Sequence, residues 1–456
     1  MSIKMLENYL LLRDGELIKQ AARRRHSDIL DKFDELVEDY SRHAVPTEKT
    51  VNGLRMGLIL VGITITVPAF LVGIEIGQGL GFKEAITASL TGGFVLFLIG
   101  ACSGTIAART HFSTYVILQF AFGISGAKFV SLVIALTSLG WFAVTIVLFA
   151  DALHNAMLNS FSAELSLQYY LICGSLLMVL TTIFGFKALD RVSLIVVPLL
   201  AVFLFFVAWR SLQSIGPEAV MNYSGKGMDY GQAVSAIIGG YIVGMTLLPD
   251  LCRYAKQHRD GISGAFIGSF IGYPLVLLLS ALPSIATNAN DYILVLVELG
   301  LGGGGVIMLI PATWTTNANN LYSSSLALST IFTTTAKWKI VIYIGALGTI
   351  IAALGLAQNL IGFLLILGYL VPPIAGIYIT DYFIINKKKY SQEQDEKQAG
   401  ANPVAFAAWL AGSLTGYLAT GGSIILSGVP SIDAITAASL LYFLLAKIEL
   451  TMSRKT

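Results

Sequence analysis

Run after run of this sequence is apolar for the length of a membrane helix and nearly free of charge. Leu54 to Ile76, Leu132 to Ala150 and Leu194 to Trp209 set the pattern. A bilayer's hydrocarbon layer is ~30 Å thick, and about 20 such residues cross it as a helix. Inside it, backbone N–H and C=O groups find no water and must bond within their own segment, so the chain folds as a bundle of helices. Charge is distributed to match: residues 1–50 hold 19 of the 56 charged residues, and 37 are spread over the other 406 positions. Only 12% of the chain is charged, half the roughly 25% of a soluble domain. A soluble enzyme, a nucleic-acid binder and a disordered chain are excluded. The net charge of +2 gives no pull towards a polyanion.

Hydropathy predicts an all-α polytopic membrane protein of about twelve spans. They lie near 54–80, 85–108, 128–152, 168–187, 191–213, 231–252, 261–287, 297–330, 338–355, 359–384, 402–420 and 431–448. Lys and Arg gather in alternate loops, with Lys83, Arg210 and Lys226 alone on the other side. By the positive-inside rule both termini are cytoplasmic, and the protein is a multi-pass protein of the cell (inner) membrane. The start, Met1 to Thr50, is too polar for a signal peptide. Ile29, Leu30, Phe33, Leu36 and Val37 recur at helical spacing there, which predicts a solvated amphipathic tail. Cys102, Cys173 and Cys252 lie in apolar segments without CxxC pairing and read as small core residues. The five His are scattered and no nucleophile–base set sits at membrane depth, so the chain is not read as an enzyme and needs no cofactor.

Interrupted helices occur in lipid only where they line a cavity. Gly62-Ile63-Thr64-Ile65-Thr66-Val67-Pro68 puts a proline halfway along the first span, freeing a carbonyl near Thr64. Gly239-Gly240-Tyr241, with Gly244 and Pro249, marks the sixth span. Two breaks five helices apart point to an inverted-repeat transporter with its site near the midplane; Thr66 and Gly240 fall at those breaks. In the eighth span, Pro311 to Asn320 concentrates hydroxyls and amides. Thr315 and Thr316 offer hard oxygen ligands of the kind that suits Na⁺, in a segment where uncavitied polarity is costly. In the tenth, Gln358-Asn359 presents paired donors and acceptors that match the edge of a planar amide ring. Trp141, beside Gly140 in the third span, offers an indole that stacks on a flat heterocycle, and Tyr241 can cover its other face. The pattern describes an uncharged planar ligand rather than a sugar, a lipid or a strong anion.

Leu139-Gly140-Trp141-Phe142, Trp314-Thr315-Thr316-Asn317 with Asn319-Asn320-Leu321-Tyr322, and Pro372-Pro373 through Gly376 to Asp381-Tyr382 carry a resemblance. From about Glu38 to Lys447 the chain resembles the nucleobase–cation symporter family (the purine–cytosine permease family), whose members carry cytosine, hydantoin, allantoin and purines. The resemblance implies a leucine-transporter-like fold of two inverted five-helix repeats with discontinuous helices 1 and 6. The parts would be residues 1–50 as cytoplasmic extension, 51–213 and 231–384 as the repeats, and 385–456 as two accessory helices and tail. It also implies a Na⁺ site of the Gly62, Ile65 and Ala312 carbonyls with the Thr315 and Thr316 hydroxyls. Substrate would stack on Trp141 and Tyr241 and be read by Asn319 or Asn320 and by Gln358 or Asn359.

The function expected is import of a nucleobase or related planar heterocycle by cation symport, with Na⁺ as the coupling ion. Two alternatives are a proton-coupled carrier of allantoin, hydantoin or hydroxymethylpyrimidine, and an amino-acid carrier on the same fold. The partners expected are the small-molecule substrate and the bilayer, with no nucleic acid; the sequence sets no oligomeric state.

Overall fold

The computed structural model describes residues 53–161, 165–183, 186–289, 292–355, 359–390, 400–424 and 426–453. The tail helix expected before Thr50 and the position of Gln358 lie outside these residues. No strand occurs among the described residues, and helices occupy all twelve expected segments. Span 1 comprises α1 (Gly53–Thr64) and α2 (Val67–Leu80), span 2 is α3 (Phe82–Thr110), and the short α4 (Thr114–Phe122) follows. Spans 3 to 5 are α5 (Ile124–Phe161), α6 (Leu167–Ile183) and α7 (Phe186–Asn222), and span 6 is α8 (Tyr230–Thr246) with α9 (Pro249–Cys252). Span 7 joins α10 (His258–Ala265), a π-helical stretch (Phe266–Gly272) and α11 (Tyr273–Thr287). Next come α12 (Tyr292–Glu298), α13 (Gly302–Ser329) in span 8 and α14 (Lys337–Ala353) in span 9. Span 10 is α15 (Leu360–Leu370), α16 (Pro372–Thr380) and a π-helical turn (Asp381–Ile385); α17 (Pro403–Thr420) and α18 (Pro430–Ser453) complete the set. Among the described residues, seven helical runs are long and apolar enough to cross a membrane, and the bent pair α1–α2 makes an eighth. Their outer faces are apolar. Leu90, Phe94 and Leu98 form an exposed stripe on α3, and Ile172, Leu176 and Leu180 another on α6, as a hydrocarbon solvent requires.

The first span breaks where the sequence predicts. Pro68 has no N–H to return to Thr64 O, so the ladder cannot continue. Instead Thr66 N–H donates to Thr64 O at 3.0 Å, Thr66 turns extended at φ −135°, ψ 154°, and α2 leaves at 61° to α1. The sixth span breaks lower than expected. Its helix runs unbroken through Gly239, Gly240 and Gly244 and ends at Thr246; Leu247 and Leu248 separate it from α9, which Pro249 starts. The reason is packing. A Cβ on Gly239 would overlap the Leu364 carbonyl of α15, and one on Gly240 would stand 2.5 Å from Tyr273 Oη. These glycines shorten helix–helix distances rather than unwind the chain.

The same device recurs throughout spans 1, 2, 6 and 7. A Cβ on Gly77 would lie 2.6 Å from that of Ala281, and Gly73 meets Leu277 one turn away, so α2 seats on α11 through a small-xxx-small pair. Gln78 Nε2 donates to Ser284 O, and Ser284 Oγ donates to Ile74 O at 3.3 Å. Below the break, Gly264 and Gly268 admit Met56 and Leu60 of α1, and Gly104 of α3 meets the backbone of Gly261. A second apolar core lies elsewhere, built by Leu139, Phe142, Ile146, Met178, Leu321 and Ile344 from α5, α6, α13 and α14. Two groups of helices, each with its own apolar core, face each other.

Gly239→Val should therefore force α8 and α15 apart. The expected cost is about 1–3 kcal/mol of overpacking, read as a lower midpoint of thermal aggregation of the detergent-purified protein. Gly303→Ala, with nothing within 4 Å of the new Cβ, should leave the midpoint unchanged; equal losses in both would refute the packing reading.

Candidate functional site

The site starts from α5, where neighbouring residues belong to different cores. Phe142 packs into the α5–α6–α13–α14 core, while Trp141, a 100° step away around the helix, joins the other core together with Tyr241, Val67 and Ala312. Trp141 is 7% exposed and so looks across the divide between the two helix groups. The space beside it that Gly140 leaves is filled by Phe363 of α15: a Cβ on Gly140 would stand 2.6 Å from that ring. Phe363 meets the indole edge-on, with centroids 5.3 Å apart and planes at 78°. Span 10 thus covers the tryptophan with an aromatic edge.

Tyr241 approaches from α8. Its hydroxyl donates to Leu60 O of α1 at 3.5 Å, and one face of its ring stacks on Tyr273 of α11 at 4.9 Å and 27°. Tyr273 in turn donates to Ile237 O at 3.3 Å. Thr66 occupies the N-cap position of α2 but makes no side-chain capping bond, so its hydroxyl is left for another partner. Because Thr66 N–H has turned to Thr64 O, the Gly62 carbonyl has lost its partner four residues on. Ile65 makes the last four-residue helical bond of the first half of the span, its N–H donating to Val61 O at 3.2 Å. α2 touches both α5 and α13, and α8 touches α5.

On α13, Ala312 is fully buried and Thr315 nearly so. The Thr315 hydroxyl donates to Pro311 O at 3.0 Å and Ala312 O at 3.1 Å, which orients its lone pairs away from those carbonyls. Thr316 is half-buried and its hydroxyl makes no hydrogen bond among the described residues. Neutral carbonyl and hydroxyl oxygens are the ligand type that hard cations accept. Among the described residues, no three His, Cys, Asp or Glu side chains gather to offer a charged alternative.

The amides divide differently from the sequence reading. Asn319 is exposed and Asn320 half-buried. The inward amide is Asn317, 0% exposed, which the sequence quoted within a motif but gave no role. Asn317 Nδ2 donates to Phe142 O at 3.0 Å, and Asn320 Nδ2 donates to Asn317 Oδ1 at 3.3 Å. One turn further on, Ser324 Oγ donates to Ala135 O at 3.0 Å. Thr313, Asn317, Asn320 and Ser324 follow i, i+4, i+7, i+11, a helical stripe that periodicity alone could have singled out. It fastens span 8 along span 3 and so fixes the helix that presents Trp141. Asn359 caps α15, accepting from Gly362 N–H at 2.9 Å, and is exposed; the oxygen expected to read substrate is engaged in the helix start.

Two polar clusters hold the far ends of spans 6 and 10. Asp250 Oδ1 accepts from Thr114 N–H at 2.8 Å, tying α9 to the start of α4, while Arg253 Nε donates to the Asp250 carbonyl at 3.0 Å. Asp381, 2% exposed, was quoted in a motif without a role. It accepts from Tyr390 Oη at 2.5 Å, Asn386 Nδ2 at 2.8 Å and Tyr442 Oη at 2.6 Å. Burial and the neighbouring Asp381 carboxylate hold the Tyr390 phenol well above its ordinary value, which keeps it a donor.

Comparison with known proteins agrees with this architecture. Residues 44–444 match the sequence profile of a family described as permeases for cytosine/purines, uracil, thiamine and allantoin. The cytosine permease of Escherichia coli O157:H7 is 28% identical over 420 residues, which cover 92% of this chain and 96% of that protein. The allantoin permease of Bacillus subtilis (strain 168) is 23% identical over 80% of this chain and 84% of its own. The inward-facing conformation of Mhp1 superposes with a TM-score of 0.81 over 90% of this chain and 93% of its own, at 18% identity. The likeness in structure establishes the fold, a leucine-transporter-like bundle, and the profile establishes descent. This multi-pass membrane protein belongs to the family of permeases for cytosine and purines, uracil, thiamine and allantoin.

Proposed function

We propose that this permease imports a nucleobase or closely related planar heterocycle by Na⁺ symport, the substrate stacking on Trp141. The observation that carries the reading is the placement of Trp141: a buried indole in the same apolar core as Val67 of the broken first span, Tyr241 and Ala312. Stacking on an aromatic face accepts any flat ring, so it supports a class of substrate rather than one compound. The description of the family and the names of the relatives, cytosine permease and allantoin permease, belong to the same class. Thr66 and Gly240 border the broken first span and the close-packed face of α8. Asn319 and Asn320 remain candidates for reading the ring edge, and Asn359 could do so only by giving up its cap.

Sodium is preferred over a proton on the chemistry of the oxygens. Gly62 and Ile65 at the end of α1 and Ala312, Thr315 and Thr316 on α13 supply neutral donors from both helix groups. A bound cation would draw the groups together, and its coupling to substrate must be reciprocal: each strengthens the other by the same factor. Asp250, the acid nearest the sixth-span break, is occupied with the α4 N-terminus rather than with the first span.

Uptake of labelled cytosine, uracil, hypoxanthine, allantoin and hydroxymethylpyrimidine into proteoliposomes, with and without a Na⁺ gradient, tests the whole reading. The expected result is accumulation of at least one of them, stimulated by Na⁺ and not inhibited by amino acids. Accumulation driven by a proton gradient alone would reject Na⁺ coupling, and competition by amino acids would reject the substrate class.

Two substitutions separate the parts of the site. Trp141→Ala should weaken substrate binding about 5- to 150-fold, the equivalent of ~1–3 kcal/mol of stacking, with the Na⁺ half-saturation nearly unchanged when substrate is saturating. Thr316→Ala should raise the Na⁺ requirement about tenfold, the effect of ~1.4 kcal/mol, while substrate affinity at saturating Na⁺ is kept.

A further inference from the structure

A cavity of about 380 Å³ opens between α7 and the start of α13, lined by Phe203, Phe206, Gly300, Leu301, Gly303 and Met308 and by none of the residues of the candidate site. Its wall is apolar on both sides, and on the α13 side glycine backbone alternates with Leu301 and Met308, Gly302 and Gly303 following the left-handed turn at Gly300 (φ 72°). A Cβ on Gly303 would meet nothing within 4 Å. The cleft lies on the outer surface of the bundle. Val202, Phe205 and Trp209 on α7 and Leu294 and Val297 on α12 are all exposed, an apolar surface where the end of span 5 meets the start of span 8. One turn beyond Phe206, on the same face of α7, stands Arg210, exposed and without a hydrogen bond or ion pair among the described residues. Trp209 precedes it, its ring 6.0 Å from that of Phe206, a pairing typical of the membrane–water boundary. On the opposite wall, exposed Glu298 ends α12 two residues before Gly300.

We propose that this cleft binds one acyl chain of a phospholipid with a primary-ammonium headgroup, of the phosphatidylethanolamine type, from the leaflet on Arg210's side, with the phosphate at Arg210 and the ammonium at Glu298. The lining of the cleft is mostly apolar and suits methylene groups. An arginine one turn, ~6 Å, above Phe206 stands at the height of the lipid phosphate. The carboxylate on the other wall selects a headgroup that carries its own positive charge over a net-anionic one. The glycines of α13 leave a groove that a chain from the bilayer fills. A detergent tail or ordinary boundary lipid would fit the apolar part of the cleft but would ignore both charges.

Trp209 reports on occupancy, because bromine on a lipid chain quenches an indole it touches. The protein is reconstituted with phosphatidylethanolamine, phosphatidylcholine or phosphatidylglycerol brominated in the acyl chains, each diluted with unlabelled phosphatidylcholine. The Trp209 signal is taken as the difference between the wild type and Trp209→Phe. Brominated phosphatidylethanolamine should associate about fivefold more tightly than brominated phosphatidylcholine, because only a primary ammonium donates hydrogen bonds to the Glu298 carboxylate, and more tightly than phosphatidylglycerol. Gly303→Leu should remove that preference by filling the groove, and Glu298→Gln, an exposed substitution that leaves the core intact, should reduce it several-fold. Equal quenching by all three brominated lipids, or quenching unaltered by both Gly303→Leu and Glu298→Gln, would mean boundary lipid only and would overturn the proposal. Stronger association of phosphatidylglycerol than of phosphatidylethanolamine would overturn it as well.

Discussion

The rule that no backbone polar group may go unpaired in hydrocarbon governs this structure, and Pro68 is where the rule is put under most strain. A proline at the second position of α2 leaves Thr64 O without its helical donor, and the chain answers by turning Thr66 N–H back onto that oxygen. The bend of 61° follows, and with it the loss of a partner for Gly62 O. A soluble protein could let water satisfy such a carbonyl. At membrane depth a break is tolerated only beside other protein or a cavity, so the bent span has to be enclosed. α8, α11, α5 and α13 enclose it.

That enclosure is of two kinds. Within the group of α1, α2, α3, α8, α10 and α11, glycine lets backbones approach until a methyl group would no longer fit, at Gly73, Gly77, Gly104 and Gly268. Lipid gives helices no hydrophobic reason to associate, and close van der Waals packing supplies one instead. Between α5 and α13 the glue is different, a line of amides and hydroxyls from Asn317 to Ser324 that reach carbonyls of the opposite helix. Trp141 and Phe142, neighbours in sequence, are divided between the two cores. The division places the indole at the seam, where two differently assembled bodies meet.

Much of this could be read in the chain beforehand, and the failures share a cause. Span positions follow from hydropathy because lipid sorts whole segments by average polarity, and Pro68 announces the first break because its chemistry allows nothing else. Gly239 and Gly240 do not announce a break, although they look as if they should. A glycine in a membrane helix either relaxes the backbone or admits a neighbour, and only the presence of Leu364 O and Tyr273 Oη opposite decides between the two. Asn317 was hidden for a related reason: with Asn317, Asn319 and Asn320 so close together, composition cannot say which faces inward, whereas helical register can. Asn359 shows the limit of reasoning from residue type, since an amide suited to reading a ring is equally suited to capping a helix.

Asp381 has a consequence for how span 10 can deform. Three donors from α18, the Tyr390 segment and the turn after α16 grip its two oxygens, so that end of the span is anchored. The joint at Val371-Pro372 lies two and a half turns along, and beyond it α15 carries Phe363 while seated on α8 through Gly239. A hinge at the prolines therefore turns α15 about a fixed root, and the phenyl ring leaves the indole only if its seat on α8 slides with it.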